Sequence, residues 1–441
     1  MPEAMIVILG AGPAGLSTAY HLRLLDPGTE VVVLEREPHS GGLCASRRSD
    51  GFTFDWTGHY LHLRDPDMKE LVFSLLGDEL MEVERKAGIH FRGRRVAFPF
   101  QAHLHALPAE MAARCLLDFI AAERRGEAPT DGRLPFDRWA REVFGDALAE
   151  AFMLPYNAKL FGVDPAEITA EWVAWAVPRP SLEQVVRGAL GLGNPGMGYN
   201  PRFLYPRSGG IDRLWRALAA RVEETIRYRR ECVGVDVEAR EVILADGERL
   251  AYDKLVSTLP LPALLGCLSG SGAPSGRGLR ASAVVDLQLG VRRPAIAEGA
   301  HWLYFPEPEY PFYRVGFPSN VCPAMAPEGH VSLSVEFSCK PGTVVDGPGE
   351  WLAPAREGLE RAGLLEASDE VVHAHAALID PAYVLYDDSR TERVRRARRW
   401  LAEQGIVSIG RFGGWCYSYM ERALLDGRET ARKLVGKPCA G

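Results

Sequence analysis

This 441-residue chain lacks three things, and each absence closes a class of function. No stretch approaches the roughly 20 apolar residues needed to cross a bilayer, so no membrane span is expected. Nor is there an excess of positive charge: 51 basic residues stand against 58 acidic ones, a net charge of −7. That balance argues against nucleic acid held on a broad basic face, although a local cationic pocket for an acidic small molecule fits it. Paired cysteine spacing is also missing. The eight cysteines (44, 115, 232, 267, 322, 339, 416 and 439) are scattered, none in a C-x-x-C pair. They read as reduced thiols rather than as a disulfide or zinc framework, and no metal is expected. The chain enters an apolar run at once, with neither a basic leader nor a small-residue cleavage site, so the cytosol is the expected compartment. Internal repeats and low-complexity tracts are absent too. What remains is an ordinary globular composition, 47% hydrophobic and 25% charged. The length suits two to four domains or one elaborated α/β unit.

The opening is legible as β–turn–α–β. The apolar run AMIVIL (4–9) meets a Gly-rich turn, LSTAYHLRLL reads as a helix from Leu16, and the strand VVVLE ends at Glu35. Further on, helices are expected from Ala109 to Arg125 and from Phe136 to Phe152, and 157–198 lacks strand alternation. Apolar residues Ile211, Leu214, Trp215, Leu218, Val222 and Ile226 recur at helical spacing. Short strands follow at Val233–Val237, Glu241–Leu244 and Lys254–Ser257. The β signal then dominates from about 280 to 385, including AVVDLQLGV and VSLSVEF. The chain closes with the strand and Gly turn of IVSIGRFGGW and a helix from Tyr419 to Leu434. Arg393, Arg395, Arg396, Arg398 and Arg399 read as a solvated helix face.

Gly10, Gly12 and Gly15 form G-x-G-x-x-G between a strand and a helix, and Glu35 lies 20 residues beyond Gly15 at the end of the second strand. The first glycine permits the turn, the second lets backbone approach a pyrophosphate, and the third allows close helix–strand packing. The acid sits where ribose hydroxyls are received. Three further features favour FAD over NAD: Gly41-Gly42 soon after Glu35, the segment LVSTLP at 255–260, and Gly410-Arg411 near the end. They suggest a cofactor domain assembled from the beginning, middle and end of the chain.

On these residues the chain resembles UDP-galactopyranose mutases and their close flavoprotein relatives, nearly from end to end. The matching stretches are GAGPAGL, GGLCAS, GFTFDWTGHY, VAFPFQ, FMLPYNAKLFGV, YPRSGGIDRLW, HWLYFPEPEYPFYR and GRFGGWCY. The more distant amine-oxidase and protoporphyrinogen-oxidase families share only the cofactor elements. The resemblance implies an α/β fold: an FAD-binding Rossmann-like domain in three pieces (1–104, 199–265 and 401–441), a helical insertion (105–198) and a mainly antiparallel substrate domain (266–400). It implies that reduced FAD acts as a nucleophile, its N5 attacking the anomeric carbon of a nucleotide-linked sugar. The pyranose and furanose forms then interconvert without net redox change. Pro13, Ala14, Arg36, Leu43 and Tyr417 join the glycines, Glu35 and Arg411 as its cofactor contacts. Gly58 and His59 match the loop beside the flavin's reactive edge, and with Arg314 they form the implied reacting centre. Phe98 (usually tyrosine in the family), Phe100 and Gln101 match the nucleobase positions, while Tyr156 and Asn157 match further nucleotide-side contacts. Trp302 keeps the family's spacing with Tyr304 and Arg314; that tyrosine and arginine match diphosphate ligands, as does Tyr383.

One position departs. The family's first diphosphate arginine should fall 19 residues after Asn157, at Ala176, which offers phosphate no hydrogen bond. Either Arg179, one helical turn on, takes its place, or the substrate lacks a diphosphate or presents it differently. The rival activity is an FAD oxidase or dehydrogenase on an apolar or amine substrate. With a single dinucleotide fingerprint, NAD(P)H or another reductant would bind only transiently.

Overall fold

The computed structural model describes residues 5–126, 132–173, 177, 179–192, 201–270 and 272–436. Its first layer is a five-stranded parallel sheet, in the order Ile406–Ser408, Lys254–Ser257, Met5–Leu9, Glu30–Glu35, Ile226–Tyr228. Strands from the beginning, middle and end of the chain therefore lie side by side. The helix Pro13–Leu25 packs on the C-terminal helix Met420–Leu434. Gly427 makes that approach close: a Cβ there would sit 2.6 Å from the backbone nitrogen of Thr18.

The second layer is a seven-stranded sheet, in the order Glu370–Val384, Ala281–Arg292, His330–Cys339, Arg314–Gly316, Trp302–Tyr304, Ala87–Phe91, Arg94–Ala97. All its pairings are antiparallel except Trp302–Tyr304 with Ala87–Phe91. Its last two strands come from ahead of the helical segment. Period-two alternation divides its faces. Val285, Leu287 and Leu289, with Leu333, Val335 and Phe337, bury into one core with Leu359 of the helix Gly349–Arg361. The intervening Asp286, Gln288, Ser334 and Glu336 belong to the other face.

The helical part contains Ala109–Arg124, Phe136–Phe144, Asp146–Leu148, Leu154–Phe161 and Leu182–Ala189. The helix expected from Phe136 to Phe152 is interrupted at Gly145, which has φ of 80°. A Cβ there would lie 2.6 Å from the carbonyl of Asp118, so the kink is fixed by a neighbouring helix. A π-helical turn, Ala149–Met153, then re-phases the chain. The helix expected through Ile226 stops sooner, spanning Asp212–Ala219. Ile226 pairs instead with Val33 as an edge strand, so sheet pairing overrides the continuing helical period. Among the described residues, no helix is long and apolar enough to cross a membrane. The seven described cysteines are free thiols, and Cys439 lies outside the described residues.

Candidate functional site

The glycine loop forms where the strand Met5–Leu9 turns into the helix Pro13–Leu25. Gly10 has φ of 96°, and a Cβ there would strike Thr258 Oγ1 at 2.3 Å. At Gly15 a Cβ would stand 2.0 Å from the Gly10 carbonyl oxygen, so no side chain is tolerated. Gly12 differs: its Cβ direction meets nothing within 4 Å. It is the residue before a helix whose first turn has no side-chain cap. That is an open approach to partially positive N–H groups, the setting for a pyrophosphate. Gly42 abuts Gly12, the Gly41 N–H donates to the Ala11 carbonyl at 2.9 Å, and Gly410 abuts Ala14. Gly41, Gly42 and Gly410 thus approach the Gly10–Ala14 turn, Pro13 begins the helix behind it, and Leu43 follows Gly42 while packing beside Tyr313 and Ala382. Glu35 is buried beside the turn and accepts the Ala11 N–H (2.7 Å) and the Glu37 N–H (2.9 Å). It holds the loop's backbone while retaining acceptor capacity for hydroxyls. Arg36, the next residue, is mostly exposed and pairs with Glu37.

A chain of rings and guanidiniums forms the second part. Cross-strand register sets Tyr304 opposite Arg314. Arg314 makes a bidentate pair with Glu336, from Nε at 2.7 Å and Nη2 at 2.8 Å, and the Tyr313 hydroxyl donates to the same carboxylate at 2.5 Å. Phe98 lies 5.6 Å from Tyr304, which lies 5.2 Å from Tyr156. Through Tyr313 the series continues to Tyr383 and then Tyr417, with centroids 6.3 to 6.4 Å apart. Arg411 stands over both Tyr383 and Tyr417 and donates to the Ala382 and Ser418 carbonyls. Trp302 is buried and stacks on Tyr60 at 5.1 Å.

Not every expected contact faces this cluster. Phe100 is fully buried; it meets Phe91 edge-on and stacks on Phe152, which stacks on Tyr156. It therefore supports Tyr156 from within the core instead of presenting a ring face. Gln101 is also buried, and Asn157 spends its amide on the Met153 carbonyl one helical turn back. Arg179 is exposed and lines a different concavity of about 310 Å³ with Phe119, Glu123, Val143, Phe144 and Ser181. No residue of the Arg314 cluster lines it. Ala176 lies outside the described residues.

The loop carrying Gly58 and His59 is held under strain. Thr57, a β-branched residue, has φ of 60°. Its N–H donates to Asp286 Oδ2 at 3.2 Å, and Ser334 donates to Asp286 Oδ1 at 2.5 Å. Gln288 ties Asp286 to the Asp55 carbonyl. Burial, then the neighbouring Glu336 charge, pushes the Asp286 carboxyl up to about 6. His59 Nδ1 is buried with no hydrogen-bond partner. Burial, followed by the Arg411 charge, lowers the His59 imidazole to about 4, so it is neutral at pH 7. Asp286, Gln288, Ser334 and Glu336 escaped sequence reasoning. Their signal was there: polar residues at every second position of otherwise apolar strands.

Residues 13–435 match the family model of flavin containing amine oxidoreductases. A crystal structure of reduced UDP-galactopyranose mutase superposes with a TM-score of 0.92 at 28% identity, covering 99% of this chain and 94% of that one. A probable UDP-galactopyranose mutase of Klebsiella pneumoniae is 25% identical over 177 residues, 38% of this chain and 44% of that protein. A phytoene dehydrogenase of Streptomyces griseus is 40% identical over 81 residues, 18% of this chain and 15% of that protein. The aligned region thus spans less than half the length of these two curated relatives.

Proposed function

This chain belongs to the flavin containing amine oxidoreductase family, and from that premise we propose that it is an FAD-dependent isomerase interconverting the pyranose and furanose forms of a nucleotide-linked sugar. The observation that carries the reading is the half-buried Arg314, paired with the buried Glu336 and Tyr313 and ringed by Tyr304, Tyr156 and Tyr383. A site lined by a guanidinium and phenols suits a diphosphate and sugar hydroxyls better than an apolar substrate. The overall likeness to reduced UDP-galactopyranose mutase supports the same class.

The residues present fit FAD. The open face at Gly12, the bare helix N-terminus and the orphaned His59 Nδ1 are features that a bound dinucleotide would complete. Gly10, Gly12, Pro13, Ala14, Gly15, Glu35, Gly41, Gly42 and Leu43 would hold its nucleotide half, and Gly58, His59, Gly410, Arg411 and Tyr417 its flavin half. When bound and reduced, FAD supplies a nucleophilic ring nitrogen and is returned unchanged. Arg314 would grip the diphosphate with its in-plane N–H groups. Burial pushes the Tyr304 and Tyr156 phenols up, so both stay protonated and can donate hydrogen bonds to the substrate. His59, neutral at working pH, offers a hydrogen bond without adding charge. A panel of nucleotide sugars incubated with dithionite-reduced protein, with products resolved chromatographically, tests the reading. A ring isomer of one sugar supports it. Turnover confined to oxidised protein, with hydrogen peroxide as product, would favour the oxidase activity that the family's description suggests.

A further inference from the structure

The inference concerns the substrate's second charge contact and rests on the nucleotide-sugar reading. A diphosphate carries about two negative charges, and the central guanidinium of the cluster does little to balance them. Arg314 is closed in a bidentate pair with Glu336, so the two are neutral as a unit. Arg411 lies at the far end, against Tyr383 and Tyr417, donating to two backbone carbonyls. Arg179 faces another concavity. At the Phe98 end a further arginine does reach the cluster. The Arg85 guanidinium stands over the Phe98 ring, with Cζ 5.0 Å from its centroid, and Phe98 is the neighbour of Tyr304.

Local structure explains how Arg85 comes to be there. The ribbon of Leu80–Glu84 and Arg202–Pro206 ends at Arg85, whose backbone N–H donates to the Pro201 carbonyl at 2.8 Å. Two residues later the chain enters Ala87–Phe91, beside Trp302–Tyr304 in parallel register. Phe98 returns to the same end of this hairpin, its N–H donating to the Ala87 carbonyl at 3.2 Å. The half-buried Arg85 is therefore fixed at its backbone and against a ring. Its charge also acts on the site: burial pushes the Tyr304 phenol up, while Arg314 and Arg85 pull it back.

We infer that Arg85 is the second cationic anchor of the substrate, binding the phosphate nearer the nucleoside while Arg314 and Tyr304 hold the one nearer the sugar. An arginine can engage a phosphate through two parallel N–H groups while its flat face rests on an aromatic ring.

UDP, uridine and inorganic pyrophosphate, titrated calorimetrically into FAD-loaded wild type, Arg85→Met and Arg85→Lys, test this. Methionine keeps an unbranched side chain and removes only the charged head, which guards against misfolding. The expected result is a ten- to hundredfold weaker affinity of Arg85→Met for UDP and pyrophosphate, with uridine changed less than about twofold. Arg85→Lys should recover part of the loss, and the wild-type advantage should shrink with added salt. Unchanged UDP affinity in Arg85→Met would overturn the inference. So would equal losses for UDP and uridine, which would make Arg85 a support for Phe98 only. If wild type itself binds neither UDP nor pyrophosphate, the nucleotide-sugar reading fails, and the inference with it.

Discussion

The glycine loop and the arginine cluster solve opposite problems. At the loop, Gly10 and Gly15 work because nothing projects from them, and Gly12 leaves open the face that a phosphate approaches. At the cluster, charged and aromatic side chains are packed together and polar groups find partners: the Arg314 guanidinium pairs with Glu336, and the Thr57 N–H donates to Asp286. The first region depends on backbone, and its turn and helix start, Gly10 to Gly15, are contiguous in sequence. The second depends on side chains that meet only because Tyr156, Tyr304, Arg314 and Tyr383 lie on elements folded together from distant parts of the chain. A cofactor common to many enzymes suits the first arrangement, and a particular substrate suits the second.

Glycine substitutions should break this contrast most sharply. Gly15→Ala forces a Cβ against the backbone of Gly10, so the protein should lose FAD and fold poorly. Gly12→Ala points its methyl into open space, so it should keep the wild-type melting temperature of the apoprotein while binding FAD more weakly. Flavin absorbance and thermal melts of both variants measure the pair. Equal melting losses would mean that Gly12, too, is a packing glycine.

Glu336→Gln attacks the other region. It leaves the half-buried Arg314 without its counter-charge, which should cost at most the about 3–5 kcal/mol seen when one partner of a fully buried pair is removed, read by denaturant titration. FAD content at low denaturant should stay near wild type, because the glycine loop is untouched. Loss of FAD in step with stability would show that the two regions unfold as one.

A pH series gives a smaller effect. The folded His59 titrates near 4 against 6.5 for an ordinary histidine, so between those values the unfolded chain binds the extra proton. Its contribution is complete above about 6.5 and is lost as pH falls towards 4. His59→Gln should therefore gain stability relative to wild type on acidification through that window, read from melting temperatures of the apoprotein. A difference that stays constant with pH would mean that His59 titrates normally. Smallest of all is Arg179→Ala, which should leave UDP affinity within about twofold of wild type, since Arg179 faces another concavity.

These expectations also mark how far the sequence carried. The β–turn–α–β opening and the glycine spacing were legible because their causes are local: a turn, a helix start and a close approach within about a dozen residues. LVSTLP reads as a strand returning to the cofactor domain and the last segment as its final strand; Lys254–Ser257 does pair with Met5–Leu9, and Ile406–Ser408 pairs in turn with Lys254–Ser257. The interrupted helix at Gly145 was not legible, because its cause is the backbone of Asp118 in another helix. Residues of the cluster were named through family resemblance, not through pattern. Glu336 and Asp286, which orient them, were passed over as members of strands. Phe100 was matched to the nucleobase site but lies in the core, a distinction of depth that a motif does not encode.

The central claim is that the flavin acts reduced and is returned reduced, and counting electrons per turnover tests it most directly. Anaerobic protein carrying one equivalent of reduced FAD, with no further reductant, should convert many equivalents of a nucleotide sugar into its ring isomer while the absorbance of oxidised flavin stays absent. Reoxidation of the flavin in step with product, one equivalent for each substrate consumed, would contradict the account and assign the chain to net redox chemistry.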